Sequence, residues 1–176
     1  SDGLNKEPLQ GASLAVQAAT GFDLFATEVT SASLLNTGTS GNIRLIETAN
    51  GGALTLTKAQ ISNAANTSGL VSIQTLSSTG GDLNLTLAAA GDVSAPGSLS
   101  LRAGGTLTLG TNADLTQPGG AAMGGTMDLE AGAAVVMTGR TVKATGDLRV
   151  QAGTSISLDL IQGGAKVALI AGGSIT

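Results

Sequence analysis

GDLNLTLAAAGDVSAPGSLSLRAGGTLTLG, residues 81–110, is the stretch that decides the fold. Inside it GDLNLTL (81–87), GSLSL (97–101) and GTLTL (105–109) set aliphatic residues at every second position, with Ser, Thr, Asn or Asp between them. Period two sends alternate side chains to opposite faces of a strand. GTSISLDL (153–160) repeats the pattern, and no window of useful length carries the 3.6-residue period of a helix.

The alternation recurs along the chain. Seven apolar-x-apolar triplets begin at Leu14, Ile43, Val71, Leu99, Met127, Leu148 and Val167, at intervals of 29, 28, 28, 28, 21 and 19 residues. A repeat of this length means a solenoid, whose units cannot bury their own apolar face and must stack on their neighbours. Each triplet opens a smaller cycle. A second start follows at Leu24, Leu54, Leu83, Leu107, Val135, Ile156 and Ile175, and a third apolar position at Val29, Ile61, Val93, Leu115 and Val142.

Two or three short strands per repeat describe one coil of a parallel β-helix. The expected first inward column runs Leu14, Ile43, Val71, Leu99, Met127, Leu148, Val167. Successive rungs lie about 4.8 Å apart, so seven coils of 19–29 residues make a rod on the order of 30 Å long. Glycines two places before many strands (Gly41, Gly52, Gly69, Gly81, Gly97, Gly105, Gly125, Gly146, Gly173) are expected at sharp corners with φ > 0. Loop excursions are expected over 30–42, 62–69 and 116–126, from their Gly, Ser, Thr, Asn and Pro content. The domain reading is an extended lead-in or arm over 1–10, then a single β-helix segment over 11–176.

Composition agrees with a narrow, regular interior. Of 176 residues only Phe22 and Phe25 are aromatic, hydrophobics make up 41%, and there are 27 glycines against three prolines. Eight basic and twelve acidic residues give a net charge of −4 with no Lys/Arg run, which argues against a nucleic-acid partner. No apolar stretch approaches the roughly 20 residues that span a bilayer. Without cysteine there are no disulfides, thiolate metal sites or thiol nucleophiles. That absence also fits large secreted bacterial proteins. SDGLNKEPLQ (1–10) lacks the features of a signal peptide, so a secreted chain would start after the signal or within a longer protein. AGGSIT (171–176) stops partway through a repeat. The expectation is a segment of a longer solenoid, or end coils that stack on other copies.

Chemistry is sparse. Some polysaccharide-degrading enzymes are β-helices that cluster carboxylates with Lys or Arg on one outer face. The nearest approach here is Asp128, Glu130 and Arg149 on consecutive rungs, with Asp128 set against Arg149 and Arg44 further back in the same column. The expectation is an ordinary cross-strand ion pair. Absence of His removes triad nucleophiles and leaves zinc or copper without ligands. Asp82, Asp92, Asp114, Asp147 and Asp159 are spread singly and read as turn formers rather than calcium ligands. An outward column of Thr55, Asn84, Thr108, Val136, Ser157 and Thr176 is the default exposed-strand chemistry, although flat Thr ladders occur on ice-binding solenoids. No catalytic, cofactor-binding or metal site is assigned, and no cofactor is expected.

The strings at 81–110, GTMDLEAGAAVV (125–136) and GDLRVQAGTSISLDL (146–160) resemble the shaft of filamentous-haemagglutinin-like bacterial exoproteins, adhesins exported by two-partner secretion. The resemblance covers about 14–176, on G-x-[IL]-x-[IL]-x-A-G-G strings. It implies a right-handed parallel β-helix, the hand also favoured by parallel crossovers. Two features depart from it: Asn-Pro-Asn-Leu-type secretion signatures are missing, and 28-residue coils exceed the usual repeat of about 20. The reading is a non-enzymatic stalk segment of a secreted surface adhesin or biofilm matrix protein, extracellular or on the bacterial surface. Its expected partner is a receptor or polysaccharide on a host or neighbouring cell. The alternative is a self-assembling filament subunit joined through its end coils, with 1–10 as a donor arm; a polysaccharide lyase or hydrolase ranks below both.

Overall fold

The computed structural model describes residues 8–48, 52–75, 83–111, 113–116 and 122–176. The strands are β1 (Leu9–Ala18), β2 (Phe22–Asn36), β3 (Ile43–Glu47), β4 (Leu54–Ile61), β5 (Val71–Thr75), β6 (Leu85–Ser94), β7 (Leu99–Ala103) and β8 (Leu107–Leu109). They continue with β9 (Met127–Ala131), β10 (Val135–Val136), β11 (Thr141–Lys143), β12 (Leu148–Ala152), β13 (Ile156–Ser157), β14 (Leu160–Gln162) and β15 (Val167–Ala171). The described residues contain no helix, so none is long and apolar enough to cross a membrane. Every strand pair is parallel.

One sheet of thirteen strands runs β13-β10-β8-β6-β4-β2-β3-β5-β7-β9-β12-β15, with β1 also on β2. Its order shows how the chain winds. β2 is long because it turns a corner: its first half pairs with β3, and its second half pairs with β4. From β2 the branch through β3, β5, β7, β9, β12 and β15 builds one face. The branch through β4, β6, β8, β10 and β13 builds a second. The β11–β14 pair and the Leu115–Val142 and Met123–Ala144 bridges form a third. This is a parallel β-solenoid.

On the first face the inward column reads Phe22, Ile43, Val71, Leu99, Met127, Leu148, Val167. Six of the seven triplets therefore superimpose. Leu14 does not: β1 pairs with the second half of β2, setting Leu14 on Ala32, and Phe22 takes the head of the column. Beside it runs Leu24, Leu45, Ile73, Leu101, Leu129, Val150, Leu169. The second face stacks Leu54, Leu85, Leu107, Val135, Ile156 and Ile175. Leu85 stands where the sequence reading set Leu83, and Leu24 belongs to the first face. Ile43 through Leu148 are buried in the first column, and burying each such side chain contributes about 1.5–3 kcal/mol.

Two expectations about irregular structure change. Residues 30–36 are strand, not loop, because Ala32, Leu34 and Asn36 point inward with Ser31, Ser33 and Leu35 between them. Residues 62–69 are loop as read, while 117–121 of the third excursion lie outside the described residues. Of the lead-in over 1–10, residues 1–7 also lie outside them, and Leu9 and Gln10 already pair with Thr27 and Glu28.

Corner glycines divide by cause. Gly41 has φ +89°, as expected of a corner, and so do Gly52 and Gly125 at their own positive angles. Gly69, Gly97, Gly105, Gly146 and Gly173 do not, and Gly81 lies outside the described residues. At Gly97 the reason is space: a Cβ there would sit 2.3 Å from the Ser68 carbonyl oxygen of the layer beneath.

Candidate functional site

Outward positions of the first face follow from the same parity. Between inward Leu99 and Leu101, or Met127 and Leu129, the intervening side chain must point to solvent. One outward column is therefore Asp23, Arg44, Ser72, Ser100, Asp128, Arg149, Ala168. Its neighbour runs Ile46, Gln74, Arg102, Glu130, Gln151, Ile170.

Asp128, Glu130 and Arg149 come together as the sequence indicates. Arg149 donates from Nε to Asp128 Oδ1 at 2.7 Å and from Nη2 to Asp128 Oδ2 at 2.9 Å, a bidentate pair. Nη2 also reaches Glu130 Oε2 at 3.0 Å, and Nη1 reaches Gln151 Oε1 at 2.8 Å. Arg102, which the sequence reading passed over, joins from the other side, with Nη2 3.2 Å from Asp128 Oδ2 and Nε 3.7 Å from Glu130 Oε2. The signal for it was present: the 28-residue interval that sets Leu99 on Met127 also sets Arg102 on Glu130. Arg44 lies in the Asp128 column but three layers away, its guanidinium 5.1 Å from the centre of the exposed Phe25 ring.

At Asp128 the electrostatics favour the ionised carboxylate. Partial burial raises the Asp128 carboxyl, but hydrogen bonds and charge from Arg149, then Arg102, outweigh it and hold the group below its ordinary value of 3.8. A general acid needs the opposite shift. The Arg149 guanidinium is correspondingly raised, first by its hydrogen bonds to Asp128. What the cluster provides is a neutral ion-pair lattice tying three layers together.

Its contribution to stability follows a definite pH course. A carboxyl lowered in the folded state stabilises above 3.8 and loses that contribution as pH falls through the lowered value. The pair is partly exposed, so Asp128→Asn is expected to change neutral-pH stability by less than about 1 kcal/mol and to flatten the acid limb of the stability profile. Denaturant melts across the acid range check both.

Among the described residues one carboxylate is buried. Glu47 occupies the inward position after Ile43 and Leu45, and it is fully shielded. Its Oε2 accepts from the Thr27 hydroxyl and its Oε1 accepts from the Val29 backbone N–H at 2.6 Å. Desolvation pushes this carboxyl above its ordinary value of 4.5, partly offset by those two donors and assisted by the charge of Glu28. The sign is opposite to that of Asp128: stability is greatest below 4.5 and declines as pH rises through the raised value. Glu47→Gln is expected to abolish that decline, read from denaturation midpoints taken from about pH 4.5 to about pH 7.

Asp114 Oδ1 accepts the Thr141 backbone N–H at 2.8 Å, across layers. Asp82 lies outside the described residues, which hold no group of three or more potential metal ligands. The outward column of the second face reads Ser31, Thr55, Thr86, Thr108, Val136, Ser157, with Thr176 beyond it 3.4 Å from Ser157 by their hydroxyl oxygens. Thr86 replaces Asn84, whose Oδ1 instead accepts the Thr106 backbone N–H at 2.8 Å.

No family model, curated protein or solved structure matches this chain.

Proposed function

We propose that the chain is a shaft segment of a secreted bacterial surface protein, an adhesin or biofilm matrix component, which performs no catalysis. The observation that carries this is the unbroken inward column Ile43, Val71, Leu99, Met127, Leu148, Val167 under a surface whose charged cluster is paired within itself. Such a column makes a stiff rod whose length scales with repeat number, and stiffness with reach is what a projecting stalk requires. On this reading the winding is right-handed, in keeping with the hand of parallel crossovers, with about seven coils. The similarity of the 81–110, 125–136 and 146–160 strings to haemagglutinin-type shafts supports an extracellular setting and a receptor or polysaccharide partner.

Negative-stain electron microscopy and light scattering of the purified chain test the proposal. Discrete short rods, monomeric at all concentrations, and no turnover of acidic polysaccharides are expected. Continuous fibres would replace the shaft with an end-to-end filament, and cleavage abolished by Glu130→Gln would replace it with an enzyme.

A further inference from the structure

Beside the ion-pair lattice lies an open groove of about 300 Å³, lined by Gln74, Thr75, Arg102 and Glu130 over the small residues Ala103, Gly104 and Gly132. Gln74, Arg102 and Glu130 stand on β5, β7 and β9, in one outward column across consecutive layers, so they span roughly 10 Å along the axis. The small residues explain why a groove exists there. β7 and β9 end in Ala103-Gly104 and Ala131-Gly132, whose short or missing side chains leave the backbone uncovered at the corner.

The hydrogen-bonding state of these residues is uneven. Arg149 is saturated by Asp128, Glu130 and Gln151. Arg102 is looser, half exposed and held only by the 3.2 Å and 3.7 Å contacts. Among the described residues the Gln74 amide has no hydrogen-bond partner, and Glu130 is engaged through Oε2, leaving Oε1. The groove thus offers amide and guanidinium donors next to carboxylate and amide acceptors. Arg102 and Arg149 balance Asp128 and Glu130, so the site has no net charge with which to attract an ion.

A ligand that both donates and accepts at each group, and is itself uncharged, matches this set; hydroxyl groups do so. We propose that the groove is a binding subsite for a neutral saccharide. This inference rests on the saccharide partner of the proposed function and assigns it a site; discrete rods that bind no saccharide would overturn the subsite and leave the shaft standing.

Calorimetric and 1H–15N NMR titration with cellohexaose, laminarihexaose, maltohexaose and chitohexaose, with trigalacturonate as the anionic comparison, tests it. Saturable binding of at least one neutral hexasaccharide is expected, with shifts centred on residues 102–104 and 130–132. Gln74→Ala and Arg102→Ala should each weaken it about tenfold, while Thr86→Ala on the second face leaves it unchanged. Both groove positions are solvent-accessible, and unchanged thermal midpoints would show that the variants fold. No saturable binding at millimolar concentration, binding of trigalacturonate alone, or binding indifferent to both groove substitutions would each overturn the proposal.

Discussion

Gly153→Ala is expected to lower stability by about 3 kcal/mol or more, although it adds one methyl group to a corner. Gly104, Gly132, Gly153 and Gly172 occupy equivalent corners, and backbone bonds clamp the layers there. Gly132 N–H donates to Ala103 at 3.0 Å, Gly153 N–H to Ala131 at 3.1 Å, and Gly172 N–H to Ala152 at 3.2 Å. A Cβ on Gly153 would sit 2.0 Å from the Gly132 carbonyl oxygen, and one on Gly132 or Gly172 would sit 2.1 Å from the carbonyl beneath it. The obstacle is backbone in a hydrogen-bonded ladder, which no rotamer change relieves. The layers must separate, and the ladder bonds on both sides lengthen with them. For a chain of this size such a loss lowers the thermal midpoint by roughly 6–12 °C.

Gly139 supplies the control. Its φ is +71°, but a Cβ there meets nothing within 4 Å. Gly139→Ala therefore isolates backbone strain, worth about 1–2 kcal/mol. If Gly153→Ala melts no lower than Gly139→Ala, close stacking of corners is not what holds the glycines in place.

How much of this was legible in the sequence depends on how far parity and spacing reach. Parity alone places Ile43, Leu45 and Glu47 on one side of β3, so a buried carboxylate could have been read off RLIETAN. Its Thr27 and Val29 partners could not, because they come from a layer whose start was misassigned. Leu14 misled for a physical reason: the long β2 serves two faces, and β1 attaches to its second half, so the triplet at 14 belongs to the second face. Phe22-Asp-Leu24 carries the same alternation and was the correct head of the column. GDLNLTL offers three leucines at period two, which leaves a two-residue ambiguity that side-chain pattern cannot resolve. The corner resolves it, since the Leu83 carbonyl accepts from the Thr75 hydroxyl at 2.7 Å and the Gly105 N–H at 2.9 Å, and Leu85 begins the strand. The Asp128–Arg149 pairing was readable because the 21-residue offset from Met127 to Leu148 carries both positions with it. The groove at Gln74 was not, since it depends on empty volume at a corner rather than on any residue type.

The same one-dimensional logic governs the core. Leu101 is fully buried, stacked between Ile73 on β5 and Leu129 on β9. Leu101→Ala removes side-chain atoms from the middle of a column whose neighbours are fixed by ladder bonds above and below, so the cavity has little freedom to collapse. The expected loss is about 2–5 kcal/mol. Ile170→Ala, at a side chain 49% exposed on β15, should stay within about 0.5 kcal/mol. The form of unfolding is more telling than the size of the loss. Because each layer contacts only its neighbours, weakening a central interface lowers the coupling between the two ends. Urea unfolding of Leu101→Ala should then broaden or split into two steps, with a lower apparent m-value than the parent chain, for which a single transition is expected. Paired probes on the β3 and β12 amides, followed by hydrogen exchange, would show the two halves opening at different urea concentrations. Coincident opening of both halves would mean that cooperativity travels through something other than the stacked columns, and the rod could not be treated as a sum of neighbouring layers.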